Sequence, residues 1–67
     1  SLPKAYVDNF KIDLARHWLE TFDWTIEHIS RNLGYTDKFH FSRRFKNFSG
    51  ISPERYRREF PNFAAPR

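Results

Sequence analysis

The sequence predicts an all-α fold, in which one long helix is followed by a helix-turn-helix and a short closing helix. Three observations predict it. Apolar residues recur every three or four positions along most of the chain, which is the spacing of one helix face. No stretch alternates apolar β-branched residues with polar ones, as a strand would. The two glycines, Gly34 and Gly50, fall where helical patterns end, a position that glycine favours.

The first helix is predicted from about Pro3 to about Thr21, because proline suits a first helical turn. Its apolar residues form two stripes: Ala5, Ile12, Ala15 and Leu19 on one side, and Val7, Phe10, Leu14 and Trp18 on the other. A helix that is apolar on two sides needs to be covered on both. A chain of 67 residues has one core to offer, so the second stripe is expected to face a partner or to fold onto the chain's own core or tail.

A short second helix follows the link formed by residues 22–24. Thr25 is its predicted N-cap, and Glu27 is well placed near the positive helix end. Its inner face is Ile26, Ile29 and Leu33. Gly34 is the predicted C-cap, and Tyr35 and Thr36 complete a tight turn.

The third helix combines an aromatic inner face with a basic outer face. Thr36 is its predicted cap, with Asp37 in the first turn. Helical spacing places Phe41, Phe45 and Phe48 inside, and Phe39, Arg43 and Lys46 on the opposite side, flanked by His40 and Ser42. Phe39 is therefore expected to be an aromatic ring on the solvent side.

The closing helix is predicted to begin at Ser52 as cap and Pro53 as first residue, after Gly50 ends the third helix. Tyr56 and Phe60 are expected to point inward, and Arg55, Arg57 and Arg58 to stay in solvent. SLPKAY (1–6) is a weak repeat of ISPERY (51–56). We therefore divide the chain into a linker helix with its connection (1–24), a helix-turn-helix subdomain with its closing helix (25–60) and a C-terminal tail (61–67).

Charge is distributed unevenly along the chain. Residues 1–30 carry three basic and five acidic groups, whereas residues 37–59 carry seven basic and three acidic groups. This asymmetry suggests one face made for a polyanion, with an ordinary solvated surface as the alternative.

Several classes of protein are disfavoured. Without cysteine there is no disulfide and no thiolate metal site, which fits the cytoplasm. No apolar run is long enough to span a membrane. His17, His28 and His40 lack metal-ligand spacing, and no glycine-rich phosphate loop or nucleophile elbow exists. We therefore expect no enzyme, no metal and no cofactor.

Two helices joined by Gly34-Tyr35-Thr36 fit the helix-turn-helix pattern. In that arrangement the second helix enters the DNA major groove with its N-terminal residues at the base edges. An ordinary helical hairpin explains the turn equally well, but the basic outer face of the third helix favours DNA.

The segment ISRNLGYTDKFHFSRRFKNFSGISPERYR (29–57) resembles the second helix-turn-helix of AraC/XylS-type bacterial transcription regulators. YVDNFKIDLARHWL (6–19) is similar to the long linker helix of that family, so the resemblance covers about residues 2–59. Two departures are mild: Ser30 stands where the family prefers alanine, and Lys11 where it has arginine.

The resemblance implies a cytoplasmic protein that binds double-stranded DNA to regulate transcription. The family's DNA-binding domain has two helix-turn-helix subdomains, and this chain matches the linker helix and the second. Val7, Phe10, Leu14 and Trp18 would then face the missing first subdomain or a second copy of the chain. The alternative is a protein-interaction module that docks through the apolar stripes of the first helix.

The resemblance also implies residue roles on a recognition helix at about 37–48. Base contacts are expected from the N-terminal outer positions, here Lys38, Phe39, His40 and Arg43. Arg43 is suited to guanine and Phe39 to the thymine methyl group. Phosphate contacts are expected from Thr25, Thr36, Ser42, Arg44, Lys46 and Ser52, together with the amides that open the second and fourth helices.

Overall fold

Four α-helices make up most of residues 2–60, the part of the chain that the computed structural model describes. They are α1 (Lys4–Thr21), α2 (Ile26–Asn32), α3 (Lys38–Ser49) and α4 (Pro53–Glu59). No strand occurs in this part, which confirms the predicted all-α class and its order of elements. None of these helices is long and apolar enough to cross a membrane. The predicted tail, residues 61–67, lies outside the described residues.

The core is built where α1 crosses the helix-turn-helix. Its apolar residues are all at most 7% exposed. They are Ile12, Ala15 and Leu19 of α1, Ile29 of α2, Leu33 directly after α2, and Phe41 and Phe45 of α3. The two phenylalanine rings contact each other with centroids 5.8 Å apart. Half-buried apolar residues pack around this cluster, among them Trp18, Trp24 and Tyr56. The aromatic side of α3 is thereby fixed against α1, so the opposite side of α3 faces outward.

The N-terminal half of α1 differs from the prediction. Ala5 is exposed, and the buried position one turn before Ile12 is occupied by Asp8. Lys4, Ala5 and Tyr6 in the first turn of α1 are all exposed, so the predicted stripe is uncovered there. The helix also begins one residue later than expected, with Pro3 at the N-cap position and no side-chain cap bond.

The second stripe of α1 divides into two parts. Leu14 and Trp18 pack against the chain's own core, and Trp18 meets Trp24 edge to face at 5.4 Å between ring centroids. Val7 is half-buried and Phe10 is exposed. The alternative prediction, that this stripe folds onto the chain's own core, is therefore confirmed for its C-terminal half only.

The turn between α2 and α3 has the bonds of a Schellman motif. The Thr25 hydroxyl accepts from the His28 amide at 3.0 Å, which confirms the predicted cap of α2. At the other end the amides of Gly34 and Tyr35 donate to the carbonyls of Arg31 and Ser30, both at 3.1 Å. Gly34 has a φ of 89°, a left-handed conformation that glycine adopts without a Cβ penalty.

The cap of α3 is Asp37, and the prediction of Thr36 was wrong by one residue. The Asp37 carboxylate accepts from the His40 amide at 2.8 Å, the bond that an N-cap makes to the third helical residue. Phe48 was expected inside but is 37% exposed, because it lies at the edge of α3 beside Arg44 rather than over the core. Gly50 ends α3 in the left-handed conformation, as predicted.

Ser52 caps α4 and Pro53 is its first residue, as predicted. The Tyr56 phenol reaches α1 and donates to the Glu20 carboxylate. Phe60 is exposed and was wrongly placed inside. Arg57 was wrongly placed in solvent: it is half-buried and donates to the backbone carbonyls of Leu19 and Phe22 at the end of α1.

Candidate nucleic-acid interface

The outer face of α3 is a continuous exposed surface, defined here by Lys38, Phe39, His40, Arg43 and Lys46. It lies opposite Phe41 and Phe45, whose burial fixes the rotation of the helix. Phe39, Arg43 and Lys46 follow one another at intervals of four and three residues, so they form a single row. At 1.5 Å rise per residue the row is about 10 Å long, which matches roughly three base-pair steps of about 3.4 Å.

Three cations on this face have no carboxylate partner among residues 2–60: Lys38, Arg43 and Lys46. By contrast, the arginines at positions 16, 31 and 55 each pair with an acidic residue one helical turn away. Unpaired cations on one face form a positive surface that attracts a polyanion. The outer face of α3 is therefore electrostatically suited to a DNA groove.

The side chain of Phe39, which lies on this face between Lys38 and Arg43 in the sequence, is 66% exposed. The Lys38 ammonium lies 5.6 Å from the centroid of its ring, a cation–π contact worth about 0.5–1 kcal/mol at an exposed site. The ring does not lie against Trp24, whose aromatic contacts are with Trp18, Phe22 and His28. A large apolar surface in this position is available to contact a base.

Tyr35 fixes the start of α3 from the side. Its ring contacts the rings of His40 and Phe41, with centroids 5.2 Å and 5.5 Å away. Burial raises the pKa of its phenol above 10.0. The ammonium of Lys11 in α1 lies 5.3 Å from the same ring. This link between α1 and the turn cannot be predicted from the sequence pattern, because a lysine on α1 has no local partner that identifies its contact.

The predicted phosphate-binding residues lie on α3, at the starts of α2 and α4, and in the turn before α3. Thr25 and Thr36 are exposed at the start of α2 and in the turn, and Ser52 is half-buried at the start of α4. The oxygens of Thr25 and Ser52 accept cap bonds at 3.0 Å and 3.1 Å. Their hydroxyl hydrogens remain able to donate, since a hydroxyl both accepts and donates. On α3, Ser42 is half-buried and Lys46 is exposed.

Arg44 differs from the other predicted phosphate contacts because its guanidinium is bound within the protein. It donates to the carboxylate of Asp8 on α1, which also accepts from Lys4 at 3.1 Å. Desolvation raises the pKa of Asp8, but the hydrogen bonds and charges of Lys4 and Arg44 outweigh it, so the pKa lies below 3.8. Sequence reasoning missed Asp8. Asp8 lies one turn before Ile12 on the otherwise apolar stripe of α1, and a buried carboxylate needs a partner. Its position was the indication that the sequence offered.

A cleft of about 200 Å³ lies between α2 and the start of α3, and Ser30, Thr36 and Lys38 are among its lining residues. It also contains the Glu27–Arg31 ion pair, whose N–O distance is 2.6 Å. Within the described range no three His, Asp or Glu side chains converge in a way that would hold a metal ion. The cleft is thus a polar recess beside the outer face of α3.

The fold and this surface define a helix-turn-helix domain, and comparison with known proteins agrees. A family model described as a helix-turn-helix domain matches residues 2–59. The Msm operon regulatory protein of Streptococcus mutans is 34% identical over 59 residues, which are 88% of this chain and 21% of that protein. The raffinose operon transcriptional regulatory protein RafR of Pediococcus pentosaceus is 34% identical over 56 residues, 84% of this chain and 20% of RafR. No solved structure matches the chain.

A third relative is the arabinose operon regulatory protein of Salmonella typhimurium, which is 34% identical over 53 residues, 79% of this chain and 19% of that protein. The chain belongs to the AraC/XylS family of bacterial transcription regulators. Membership assigns it to DNA-binding transcription regulation, in which helix-turn-helix regulators bind double-stranded DNA. The chain spans about a fifth of the length of these relatives.

Proposed function

We propose that this chain reads DNA sequence as the second helix-turn-helix of a bipartite AraC-type domain, with α3 as its recognition helix in the major groove. The outer face of α3 carries the proposal, because it combines unpaired cations with an exposed aromatic ring. The groove is about 12 Å wide and accepts one helix. Residues 1–24 act as the linker and 25–60 as the reading subdomain in this proposal, which gives the chain no enzymatic role.

The base contacts are assigned to the N-terminal half of this face. Arg43 lies in the middle of the row, exposed and unpaired, and its fork can bond O6 and N7 of guanine. Lys38 and His40 lie one helical turn nearer the N-terminus and contact the flanking base edges. Phe39 packs on a thymine methyl group, which is the apolar feature of the major groove.

Phosphate contacts fix the position of α3 in the groove. Thr25, Thr36, Ser42 and Ser52 supply hydroxyl donors and Lys46, at the end of the row, an ammonium donor. Arg44 adds one more if it leaves Asp8. The logarithm of the affinity falls linearly with the logarithm of the salt concentration, and each phosphate that a cation neutralises adds about 0.9 to the steepness of this fall. Binding by this chain is thus expected to weaken steeply with salt.

The N-terminal end of α1 carries an apolar groove of about 360 Å³ lined by Leu2, Tyr6, Val7 and Phe10. We assign it to the first helix-turn-helix subdomain, because the matched relatives are about five times longer than the matched segment. Leu14 and Trp18 contribute less to the contact with this subdomain than the sequence suggested, since they pack on the core. Reading of chromosomal DNA places the protein in the bacterial cytoplasm, and this location is part of the proposal.

The test is a titration of random-library duplexes at two ionic strengths with the wild type, Arg43→Gln and Arg58→Gln. Both variants remove one exposed arginine charge, but Arg58 lies on α4 away from the row. We expect Arg43→Gln to lose about 1–3 kcal/mol of discrimination at one guanine. Arg58→Gln should keep the sequence preference. Equal preferences in all three proteins would refute base reading by α3.

The alternative, docking through α1, predicts that changes to the apolar stripes of α1 impair function more than Arg43→Gln does. Ultracentrifugation of Phe10→Ser and Phe60→Ser tests the apolar groove, because both variants remove an exposed phenylalanine. If the groove is an unsatisfied contact surface, the wild type self-associates at high concentration and only Phe10→Ser reverts to monomer. A wild type that stays monomeric counts against a contact surface in this groove, whether for the first subdomain or for another partner.

A further inference from the structure

Asp8 joins α1 to α3 through a contact that no other acidic residue in the described part of the chain makes. It is 6% exposed, although it carries a charge. Its carboxylate accepts from Arg44 of α3 and, at 3.1 Å, from Lys4 of α1. The pairs Lys4–Asp8, Asp13–Arg16, Glu27–Arg31 and Arg55–Glu59, by contrast, join residues three or four positions apart on one helix. The Asp8–Arg44 pair is therefore a tertiary contact of the recognition helix.

Arg44 lies beside the reading row rather than in it. It follows Arg43 directly, so its Cβ is rotated by about 100° around the helix axis toward α1. Its side chain is 30% exposed, and its guanidinium lies 5.8 Å from the centroid of the Phe48 ring. Arginine is among the residues that bind phosphate oxygens, and we expect a phosphate strand beside this flanking position when the outer face of the helix is in the groove.

We infer that Asp8 competes with a DNA phosphate for Arg44, so that duplex binding exchanges the partner of this arginine. The inference rests on the proposed function, because it needs α3 in the groove. Removing a cation from a buried carboxylate is normally strongly unfavourable. Here Lys4, which is 81% exposed and already bonded to Asp8, remains as the second cation after Arg44 leaves. Asp8 thus lowers the affinity for DNA without preventing binding.

Three variants measure the exchange on a duplex that the wild type selects from a random library. Asp8→Asn keeps the shape of the side chain and removes the competing charge, so affinity should rise about two- to fivefold, the range of a partly exposed ion pair. Arg44→Gln should lower affinity and reduce the salt slope by about 0.9, one phosphate contact. In the double variant the gain from Asp8→Asn should disappear, because Arg44 is no longer there to be released.

Asp13→Asn is the matched control. Asp13 lies on α1 and is bonded to Arg16, but it is exposed and does not contact α3. The same charge is removed, so any general weakening of repulsion from DNA appears in both variants. The inference is overturned if Asp8→Asn binds no more tightly than Asp13→Asn, if its gain persists without Arg44, or if Arg44→Gln leaves the salt slope unchanged. If no protein shows a sequence preference, or Arg43→Gln keeps it, the proposed function itself has failed.

Circular dichroism establishes that each variant is folded at the binding temperature. If Asp8→Asn is not folded, Lys4→Gln reports the same competition with Arg16→Gln as its control, because each removes one cation from α1. Without Lys4 the carboxylate keeps Arg44 more firmly, so affinity should fall further than in Arg16→Gln. Equal affinities of these two variants would overturn the inference.

Discussion

Thymine recognition by Phe39 makes the most direct prediction about the outer face of α3. The perturbation is made in the DNA: each thymine of a selected duplex is replaced in turn by uracil, which removes only the C5-methyl group. Protein stability is unaffected by this change. We expect uracil at one position to weaken binding by the wild type and to have no further effect on Phe39→Ala.

The magnitude follows from the exposure of the ring. A phenylalanine buries about 150–250 Å² when fully covered. Since Phe39 is 66% exposed, about 100–160 Å² remains available, worth about 2.5–4 kcal/mol at ~25 cal/mol/Å² if all of it were covered. One methyl group covers a fraction of that area and contributes about 0.8 kcal/mol. This corresponds to an affinity change of about fourfold.

Fluorescence anisotropy at a single salt concentration resolves a fourfold change. Phe39→Ala should bind the thymine duplex about as weakly as the wild type binds the sensitive uracil duplex. If every uracil duplex binds the wild type as tightly as its thymine counterpart while Arg43→Gln still loses specificity, Phe39 does not contact a thymine methyl group. The ring would then be exposed in the complex or contact the sugar.

Three further predictions concern the body that supports α3. Arg57→Gln removes donors to two carbonyls at the end of α1, so we expect a loss of about 1–2 kcal/mol in a thermal melt, whereas exposed Arg58→Gln should stay within about 0.5 kcal/mol. Burial and the bond to Glu20 raise the pKa of Tyr56 to about 12. Folding therefore favours its protonated phenol, and this stabilisation is present below about pH 10 and lost as the pH rises through 12. Thermal melts across that range should show the loss in the wild type, and Tyr56→Phe should abolish this pH dependence. Gly50→Ala places a Cβ on a residue with φ of 86° but against no neighbouring atom, so its cost should be conformational, about 1–2 kcal/mol by denaturant unfolding. An unchanged midpoint would contradict this explanation of the glycine.

Adjacent arginines on α3 and on α4 differ in their partners, and the sequence does not reveal this difference. Arg43 and Arg44 are neighbours of the same type, yet one is unpaired and the other is bound to Asp8. Arg57 and Arg58 differ in the same way, because Arg57 binds the end of α1 while Arg58 is exposed. In both pairs the helix rotation turns one arginine toward α1 and the other toward solvent.

The four helices, the ends of most of them and the aromatic side of α3 were all predictable from the sequence alone. Those features depend on residues within one or two turns of each other: Thr25 and Ser52 as caps, Gly34 and Gly50 in the left-handed conformation, and a spacing that buries Phe41 and Phe45. The sequence also carried the family resemblance, since that pattern is nearly continuous in the chain. The error at Thr36 was local, because two adjacent residues are both good caps.

Which side chains have partners depends on how the helices pack. The contacts from Arg44 to Asp8 and from Tyr56 to Glu20 each join residues 36 positions apart, so no local periodicity identifies them. Coverage of Ala5, Phe10 and Phe60 depended in the same way on how far the neighbouring helices extend along α1 and α4. The physical reason is that a helical pattern fixes the direction of a side chain relative to its own axis. The packing of the other helices then determines whether that direction leads to the core, to an ion pair or to solvent.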